Sequence, residues 1–314
     1  MKAFYNKAYG AREVSEYGEL PDPVPGAGEM IVEVKAVSIN PVDYKVRKGI
    51  AGIVTGSKFP KVFGSDFAGI IKEPCMEHPE YKKGDKVYGA ISAFSGRQGS
   101  LSELVAVKYE MLRHMPEKMS FEDAAALPVA SLTALNGLRQ CGVKEGTKLL
   151  INGATGGVGH FAVQIAKAKG AHVTATCSMA NSDFAKTLGA EETSGYSRQD
   201  LVKITNKFEA ILDAYGKMEK TSILHLLKTN GTYASPLLFP VSFLPILFFR
   251  VFLFRKLKSS NMRALPEDYQ EIENLYLQGK LKPHIDAVFT LDKAEDAFEL
   301  AEKGRPKGKV VVNL

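Results

Sequence analysis

The sequence predicts an α/β protein of two domains, one rich in β-strands and one built on a doubly wound parallel sheet. Three observations predict this class. The apolar run 149–151 ends at a glycine-rich turn and is followed by the amphipathic stretch 160–167, which is the order strand, turn, helix. Strand-like and helix-like segments then alternate across 148–235. Residues 1–115 instead contain short strands punctuated by glycines.

The β-rich domain is predicted at 1–120 and is expected to be completed by 265–314, where the chain returns to it. Residues 30–37 alternate apolar and polar side chains directly after the turn residues 25–28, which is the pattern of a half-buried strand. Further strands are predicted at 67–71, 86–91, 101–107 and 309–314, and helices at 266–278 and 292–303.

The second domain is predicted at 121–264 and begins with two helical segments, 121–127 and 131–138. Its strand–helix alternation is typical of a parallel sheet with crossover helices. Strands are predicted at 148–152, 172–177, 209–213 and 231–235, and helices at 184–188 and 223–228.

The turn after the first of these strands is predicted to bind the pyrophosphate of a dinucleotide. A turn of this kind directs backbone N–H groups and a helix N-terminus at one point, which suits an anion. The spacing is close to G-x-G-x-x-G/A, with Ala154 in place of the first glycine. A tight turn without a ligand is the alternative interpretation. The cofactor-binding residues expected here are Ala154, Thr155, Gly156, Gly157, Val158 and Gly159.

The composition indicates a globular protein without a nucleic-acid partner. Of its 314 residues, 45% are hydrophobic and 24% are charged, which is ordinary. The net charge is +6, but lysines and arginines are spread along the chain, which favours a solvated surface. Cys75, Cys141 and Cys177 are far apart and form no CxxC pair. With no signal-peptide pattern at the N-terminus, we expect a cytoplasmic location.

Short motifs along nearly the whole chain resemble the medium-chain dehydrogenase/reductase superfamily, in particular its zinc-independent quinone oxidoreductase branch. The matching segments are 39–43, 64–69, 84–88, 125–133, 153–159, 188–190, 279–283 and 308–312. The resemblance implies a GroES-like catalytic domain, a Rossmann domain, a cofactor in the cleft between them and a homodimer.

The residues at the zinc-ligand positions predict that no catalytic zinc is bound. Zinc-dependent alcohol dehydrogenases of this superfamily carry a cysteine where this sequence has Asn40 and a histidine where it has Ser65. The stretch 124–133 contains neither Cys nor His, and the four-cysteine cluster of the second lobe is missing. Three protein ligands and an open position are what a catalytic zinc requires. Cys75 and His78 have a metal-like spacing, but two ligands need help from elsewhere.

The end of the second Rossmann strand favours NADPH over NADH. NAD sites often place an acid there to bind the ribose diol, whereas here Ser178 follows the strand and the first acid is Asp183. A carboxylate would repel a 2′-phosphate, and Ser178 can donate a hydrogen bond to one. Lys186 and Arg198 are the candidates for its positive charge. The resemblance adds Tyr196, alternatively a surface tyrosine, and the expected contacts outside the turn are Ser178, Tyr196 and Lys309.

The resemblance implies four residues in the catalytic cleft, namely Asn40, Asp43, Tyr44 and Thr133. Asn40 is expected to donate a hydrogen bond to a developing enolate or quinol oxygen. Asp43 either acts in the cleft or only braces Lys45 or Arg47. Tyr44 either donates its hydroxyl or packs against the substrate, and Thr133 either neighbours the nicotinamide or is a buried or capping hydroxyl.

Residues 237–254 form an almost uninterrupted apolar segment that is followed by basic residues up to 258. Because Pro240, Pro245 and Arg250 interrupt it, we expect no transmembrane span. Three interpretations stay open: an apolar cleft wall together with a dimer contact, ordinary core, or peripheral membrane contact through 237–258.

These observations predict a zinc-independent oxidoreductase that transfers a hydride from NADPH to a quinone or an α,β-unsaturated carbonyl. Without a Lewis acid an alkoxide is poorly stabilised, whereas a conjugated acceptor spreads the negative charge to an oxygen that hydrogen-bond donors can stabilise. The alternatives are a 2-enoyl or 2-alkenal reductase, a zinc-free alcohol dehydrogenase, and an NADPH-binding interaction or structural protein with weak turnover.

Overall fold

The structure is a computed structural model that describes residues 1–50, 52–94, 99–236 and 256–314. It divides into two compact units, the first formed by Met1–Val129 with Ile285–Leu314 and the second by Ala130–His284. The first unit is rich in β-strands, and the second contains a parallel sheet with helices between its strands. The predicted α/β class with these two types of domain is therefore confirmed.

The elements are numbered in chain order. The strands are β1 (Lys2–Asn6), β2 (Ser15–Glu19), β3 (Glu29–Ser38), β4 (Lys61–Val62), β5 (Asp66–Glu73), β6 (Lys86–Ala90), β7 (Leu104–Lys108), β8 (Leu112–His114), β9 (Lys148–Asn152), β10 (His172–Thr176), β11 (Glu192–Ser194), β12 (Phe208–Asp213), β13 (Leu227–Ser235), β14 (Lys256–Ser259), β15 (Ile285–Thr290) and β16 (Lys309–Asn313).

The helices are α1 (Pro41–Arg47), α2 (Gly52–Thr55), α3 (Phe121–Ala126), α4 (Pro128–Gln140), α5 (Gly157–Ala168), α6 (Ser182–Thr187), α7 (Arg198–Leu201), α8 (Lys220–Leu226), α9 (Pro266–Leu277) and α10 (Ala294–Lys303). Single 3-10 turns lie at Arg12–Val14, Tyr109–Met111, Met179–Asn181 and Leu291–Lys293.

The first unit is organised by β3, whose long apolar run is buried. The larger sheet has the order β15-β16-β3-β5-β6-β8, and β7 also pairs with β3. A smaller sheet has the order β2-β1-β4. Side chains of β3, β5 and β16 share one core with Phe298 of α10. Because β16 pairs antiparallel with β3, the C-terminal strand is held beside the end of β3.

The second unit has a six-stranded sheet in the order β11-β10-β9-β12-β13-β14. Every pair in it is parallel. Numbered along the chain from β9, this is the doubly wound order 3-2-1-4-5-6. The order reverses between β9 and β12, so the carboxyl ends of these strands, at Asn152 and Asp213, lie side by side. Ligands of open parallel sheets bind at this kind of edge.

The unit boundaries lie later in the chain than the predicted ones, which were after 120 and after 264. Helix α9 belongs to the second unit, and two ion pairs join it to other residues of that unit. Arg139 lies 2.6 Å from Asp268, and Lys169 lies 2.6 Å from Glu271. Charge pairs between distant parts of the chain leave no periodic signal in the sequence.

Two local structures differ from the sequence expectation. Residues 41–47, for which the sequence analysis predicted no helix, form helix α1 with Pro41 at its first position, where proline is favoured. Strand β13 begins at Leu227, directly after α8, so it extends through residues predicted as helix and loop. The apolar segment 237–254 lies outside the described residues. In the part of the chain that is described, no helix is both long and apolar enough to cross a membrane.

A close backbone contact explains the glycine at 159. A Cβ atom at Gly159 would lie 2.0 Å from the carbonyl oxygen of Gly153. A Cβ atom at Gly156 would meet only that same oxygen, at 3.6 Å, which is an ordinary contact distance. Only glycine at 159 therefore lets α5 begin this close to the end of β9.

We expect Gly159→Ala to destabilise the second unit by about 3 kcal/mol or more, because backbone atoms must move to make room. The matched variant Gly156→Ala is expected to cost about 1 kcal/mol or less, the usual difference between glycine and alanine at a helix N-cap. Chemical denaturation of both variants measures the two costs. Equal stability of the two variants would contradict this packing argument.

Candidate functional site

In the second unit, the glycine turn leaves hydrogen-bond donors without side-chain caps. The N-cap residue of α5 is Gly156, and no side chain caps this helix end. The first N–H groups of a helix have no partner within the helix. Gly153, with φ +74°, and Ala154 both donate their N–H groups to the carbonyl oxygen of Thr176, which fixes the turn to the end of β10.

The turn fits the phosphate groups of a dinucleotide. A Cβ atom at Gly156 would meet one backbone atom only, so the outer side of this glycine is open for close approach of a ligand. The N-terminal end of α5 supplies partial positive charge, and a helix of 12 residues has a full dipole. Ala154 is buried, as a residue packed beneath the turn should be, and Thr155 accepts a long hydrogen bond from Asn181 at 3.5 Å.

A buried carboxyl group, Asp213, holds the loop beside this turn. It accepts hydrogen bonds from the Asn152 amide and the Tyr233 hydroxyl, both at 2.7 Å. It also accepts from the backbone N–H groups of Gly216 and Met218, both at 2.8 Å. Burial, followed by the charge of Asp213, raises the pKa of the Tyr233 hydroxyl, which keeps that donor protonated. The sequence analysis did not single out Asp213, although it ends a predicted strand.

The residues after β10 are placed as follows. Ser178 is half-buried, and its hydroxyl caps no helix. Tyr196 is 51% exposed. Of the two candidate cations, Lys186 lies 3.9 Å from Asp183, and Arg198 lines a different concavity together with His225. The positions of Lys186 and Arg198 therefore do not identify the cation that would pair with a 2′-phosphate.

In the first unit, a polar cluster forms where β3 ends and α1 begins. The backbone N–H of Asn40 donates to Asp43 Oδ2 at 2.8 Å, as in a capping box. The Asn40 amide Nδ2 donates to Asp66 Oδ2 at 2.8 Å and to the Ser38 carbonyl at 3.3 Å. Both hydrogens of this amide are thus engaged. For Asn40 to donate to a substrate oxygen, as the sequence analysis expected, one of these bonds has to break.

Lys309 belongs to this cluster. Its Nζ donates to Asn40 Oδ1 at 2.6 Å and lies 3.5 Å from Asp66 Oδ2. The side chain is 3% exposed, and burial lowers the pKa of the ammonium although both acidic neighbours raise it. A contact between Lys309 and the cofactor, which the sequence analysis expected, would compete with these bonds.

Four donors converge on Asp66. They are Ser38 Oγ at 2.7 Å, Asn40 Nδ2 at 2.8 Å, the Val129 N–H at 2.9 Å and Lys309 Nζ at 3.5 Å. The Asp66 carboxyl is fully buried. A buried carboxyl needs partners of this kind because water does not solvate it. Asp66 is thus the acceptor at the centre of the cluster.

Asp43 is the second buried carboxyl of the cluster and accepts a short hydrogen bond from the Ser65 hydroxyl. Burial raises the pKa of Asp43 to about 7, and the negative charge of Asp66 adds to this. The hydrogen bonds from Ser65 and from the Asn40 N–H, together with the charge of Lys309, act in the opposite direction. Desolvation is the largest of these effects, as expected for a carboxyl group of a buried residue.

Asp43 does not brace Arg47, the second of its two suggested partners. The Arg47 guanidinium forms a two-bond ion pair with Glu295, at 2.7 and 3.2 Å, and lies 4.2 Å from the ring centre of Phe298. It therefore fixes α1 to α10 within the first unit. Tyr44 is half-buried and packs against the apolar core.

Thr133 is a buried residue of α4 and belongs to the second unit. Within the first unit, the structure places Asn40 and Asp43 in one hydrogen-bonded cluster. Ser65, Asp66 and Lys309 complete that cluster.

A concavity of about 380 Å³, measured to its open mouth, lies on one side of Asp43. Asp43 lines it together with Thr55, Lys61 and Ser92, and the rest of its wall is mostly apolar. The Lys61 ammonium donates to the Thr55 carbonyl at 2.5 Å. Asp43 thus contacts Ser65 on one side and a solvent-accessible concavity on the other.

The donor set does not fit a catalytic zinc. An amide and a hydroxyl, Asn40 and Ser65, occupy the positions at which the zinc enzymes have a cysteine and a histidine, and the ammonium of Lys309 lies 2.6 Å from the Asn40 oxygen. Zinc is bound by thiolate, imidazole and carboxylate groups, and a neighbouring ammonium opposes a cation. Across residues 1–50, 52–94, 99–236 and 256–314, no group of three or more His, Cys, Asp or Glu side chains is arranged to hold a metal ion.

Two family models match the chain. The alcohol dehydrogenase GroES-like domain matches residues 26–117, which lie in the first unit. The model described as zinc-binding dehydrogenase matches residues 188–312.

Relatives align along nearly the whole length. The chloroplast envelope quinone oxidoreductase homolog of Arabidopsis thaliana is 32% identical over 98% of this chain and 96% of its own length. The 2-methylene-furan-3-one reductase of Solanum lycopersicum is 34% identical over 100% of this chain and 79% of its own. The quinone oxidoreductase of Coxiella burnetii has a structure with a TM-score of 0.91, 32% identity and coverage of 100% and 99%. The chain is therefore an oxidoreductase that belongs to the quinone oxidoreductase branch of the medium-chain dehydrogenase/reductase superfamily.

Proposed function

We propose that the protein reduces quinones or α,β-unsaturated carbonyls with NADPH and without zinc. The observation that carries this proposal is the bond of 2.6 Å between the Lys309 ammonium and Asn40, which puts a fixed positive charge at a position where zinc enzymes have a metal ligand. In the zinc enzymes a Lewis acid stabilises the alkoxide that a ketone forms, whereas a conjugated acceptor delocalises the charge that it gains. The names of the quinone oxidoreductase and furanone reductase relatives support the same substrate classes.

When bound, the nicotinamide cofactor supplies the hydride. The chain binds and orients it through the N-terminal end of α5, with Gly156 allowing close approach of the pyrophosphate. Asp213 positions the loop next to the turn. We assign further cofactor contacts to Ser178 and Tyr196.

In the first unit, Lys309 and Asp66 act as positioning residues, because they hold the Asn40 amide in one orientation. Tyr44 and Thr133 are proposed to contact the substrate or the nicotinamide. Asp43 is proposed to supply a proton from this cluster.

The proposed preference for NADPH rests on Ser178. The hydroxyl at the end of β10 is able to donate to a 2′-phosphate, whereas an acid at this position would repel that phosphate and accept hydrogen bonds from a ribose diol.

We propose a homodimer in the cytoplasm. Within the described part of the chain, β14 pairs only with β13 and is the last strand of its sheet, so its outer edge can pair with the same edge of a second copy. The Arabidopsis relative is named for the chloroplast envelope, and a fractionation of cells tests whether this chain differs from it. Peripheral membrane contact through 237–258 stays a proposal, since residues 237–255 lie outside the described residues.

We expect oxidation of NADPH with quinones, enals or enones and little or none with simple ketones. Absorbance of NADPH, followed with a panel of these acceptors in the presence of a chelator, measures this. Turnover that the chelator abolishes would contradict the zinc-independent mechanism. Cofactor binding without turnover on any acceptor would favour an interaction protein.

We expect Gly156→Ala to weaken binding of NADPH at least tenfold, because its methyl group occupies space next to the pyrophosphate. Since this variant is expected to remain folded, calorimetric titration with NADPH measures the loss directly. Unchanged affinity would show that the turn does not approach the phosphates as proposed.

We expect Ser178→Asp to lower the ratio of kcat/KM for NADPH to that for NADH at least tenfold, since a carboxylate repels the 2′-phosphate and accepts from the ribose diol. Steady-state kinetics with both cofactors measure the ratio. Ser120→Asp is a matched control, because it adds the same charge at an exposed N-cap where Asp is equally favoured. A ratio that changes equally in both variants would exclude a local contact.

A further inference from the structure

One ammonium and two carboxyl groups are buried together in the first unit. The ammonium of Lys309 lies 3.5 Å from Asp66, so these two form the ion pair. Asp43 is then the carboxyl without a countercharge of its own. An uncompensated buried charge is costly, and a carboxyl in that position keeps its proton instead. The cluster is electrically balanced only when Asp43 is protonated.

We propose that Asp43 stores the proton for the second half of enone reduction and delivers it through the Ser65 hydroxyl. This inference rests on the proposed function, because it concerns the step after the electron-poor carbon has been reduced. That step leaves an enolate, whose α-carbon must still gain a proton.

The geometry prepares Asp43 for this transfer. Its Oδ2 accepts from the Asn40 N–H at 2.8 Å, and its Oδ1 shares a short hydrogen bond with the Ser65 hydroxyl. Ser65 donates in this bond when Asp43 is a carboxylate, and in the relay it accepts from the protonated acid, which leaves the Ser65 proton for the substrate. The Asn40 side chain is saturated by Lys309, Asp66 and the Ser38 carbonyl. Asn40 and Ser65 occupy the two positions at which the zinc enzymes have ligands. Of these two side chains, Ser65 is the one whose hydroxyl can exchange a proton with an acid.

The step balances as follows. A C–H bond forms between the enolate α-carbon and the hydroxyl proton of Ser65, and the O–H bond of Ser65 breaks. The Asp43 carboxyl proton moves onto the Ser65 oxygen at the same time, so Ser65 ends as a hydroxyl. Asp43 ends as a carboxylate, and the saturated carbonyl product is neutral.

The concavity on the other side of Asp43 supplies the replacement proton. It is open to solvent, and the space inside it that a water molecule can occupy is about 20 Å³, which is enough for one water. Lys61 and Thr55 are polar groups in its wall. Because the pKa of Asp43 lies at about 7, a neutral buffer reloads it without a large free-energy cost.

Quinones and enones separate this role from a merely structural one. A reduced quinone carries its charge on oxygen, which water protonates rapidly without a catalyst. An enolate must be protonated on carbon, which is slow and benefits from a positioned acid. Loss of the relay should therefore affect enone turnover and spare quinone turnover.

The test compares kcat for an enone and for a quinone in the whole enzyme and in Asp43→Asn and Ser65→Ala. We expect both variants to lower the ratio of kcat with the enone to kcat with the quinone at least about 30-fold, because a general acid contributes about 100-fold or more and only the enone depends on it. In the wild type, kcat with the enone should fall as the pH rises through about 7, because the acid form is lost. This fall should be absent in both variants.

Ser102→Ala is the matched control, because Ser102 is also a buried serine of the first unit and donates to the Leu104 carbonyl at 2.9 Å. A second readout needs no cofactor: carbon NMR of labelled aspartate should show one carboxyl that titrates near 7, lost in Asp43→Asn and retained in Ser65→Ala.

Two results would overturn the relay while leaving the proposed function intact: equal losses with both acceptors, or unchanged enone turnover in Ser65→Ala. A wild type that turns over neither acceptor would overturn the proposed function and the relay together. A wild type that reduces quinones but no enone would remove the relay alone.

Discussion

The buried ammonium of Lys309 is the interaction on which the polar cluster of the first unit depends. It stands 2.6 Å from Asn40 and 3.5 Å from Asp66, in a place that water does not reach. A buried ion pair contributes little net stability, but removal of one partner leaves a costly isolated charge. The ion pair therefore fixes the positions of the side chains in the cluster more than it contributes to the free energy of folding. The orientation of Asn40 follows from it, whereas the raised pKa of Asp43 is caused first by burial.

The same cluster carries the proposed chemical difference from zinc dehydrogenases. At and beside the positions where those enzymes have zinc ligands, the chain has a buried ammonium, an oriented amide and a carboxyl whose pKa is raised by burial to about 7. These groups favour reactions in which an electron-poor carbon accepts a hydride and the charge spreads to an oxygen. In the proposed mechanism, the α-carbon of an enone must then still gain a proton, and a buried acid is suited to supply it.

In the second unit, the geometry beside the glycine turn depends on where strands end. The reversal of strand order between β9 and β12 places Asn152 and Asp213 side by side, and Asp213 then organises the following loop with four hydrogen bonds. In the proposed function, rigid support of this kind reduces the entropy lost when the turn binds a phosphate.

The sequence by itself determined the α/β class, the doubly wound sheet and the glycine turn, because strand–turn–helix patterns are local and Gly159 tolerates no side chain. It also indicated the family and the lost zinc ligands through short motifs. Helix α1 could have been predicted from the sequence, since Asn40, Pro41 and Asp43 have the spacing of a capped helix start. The contact between Asn40 and Lys309 could not be predicted, because the two residues are 269 positions apart in the chain. Only the tertiary structure decided that contact, and with it the burial that sets the pKa of Asp43, since desolvation depends on packing and not on neighbours in the chain.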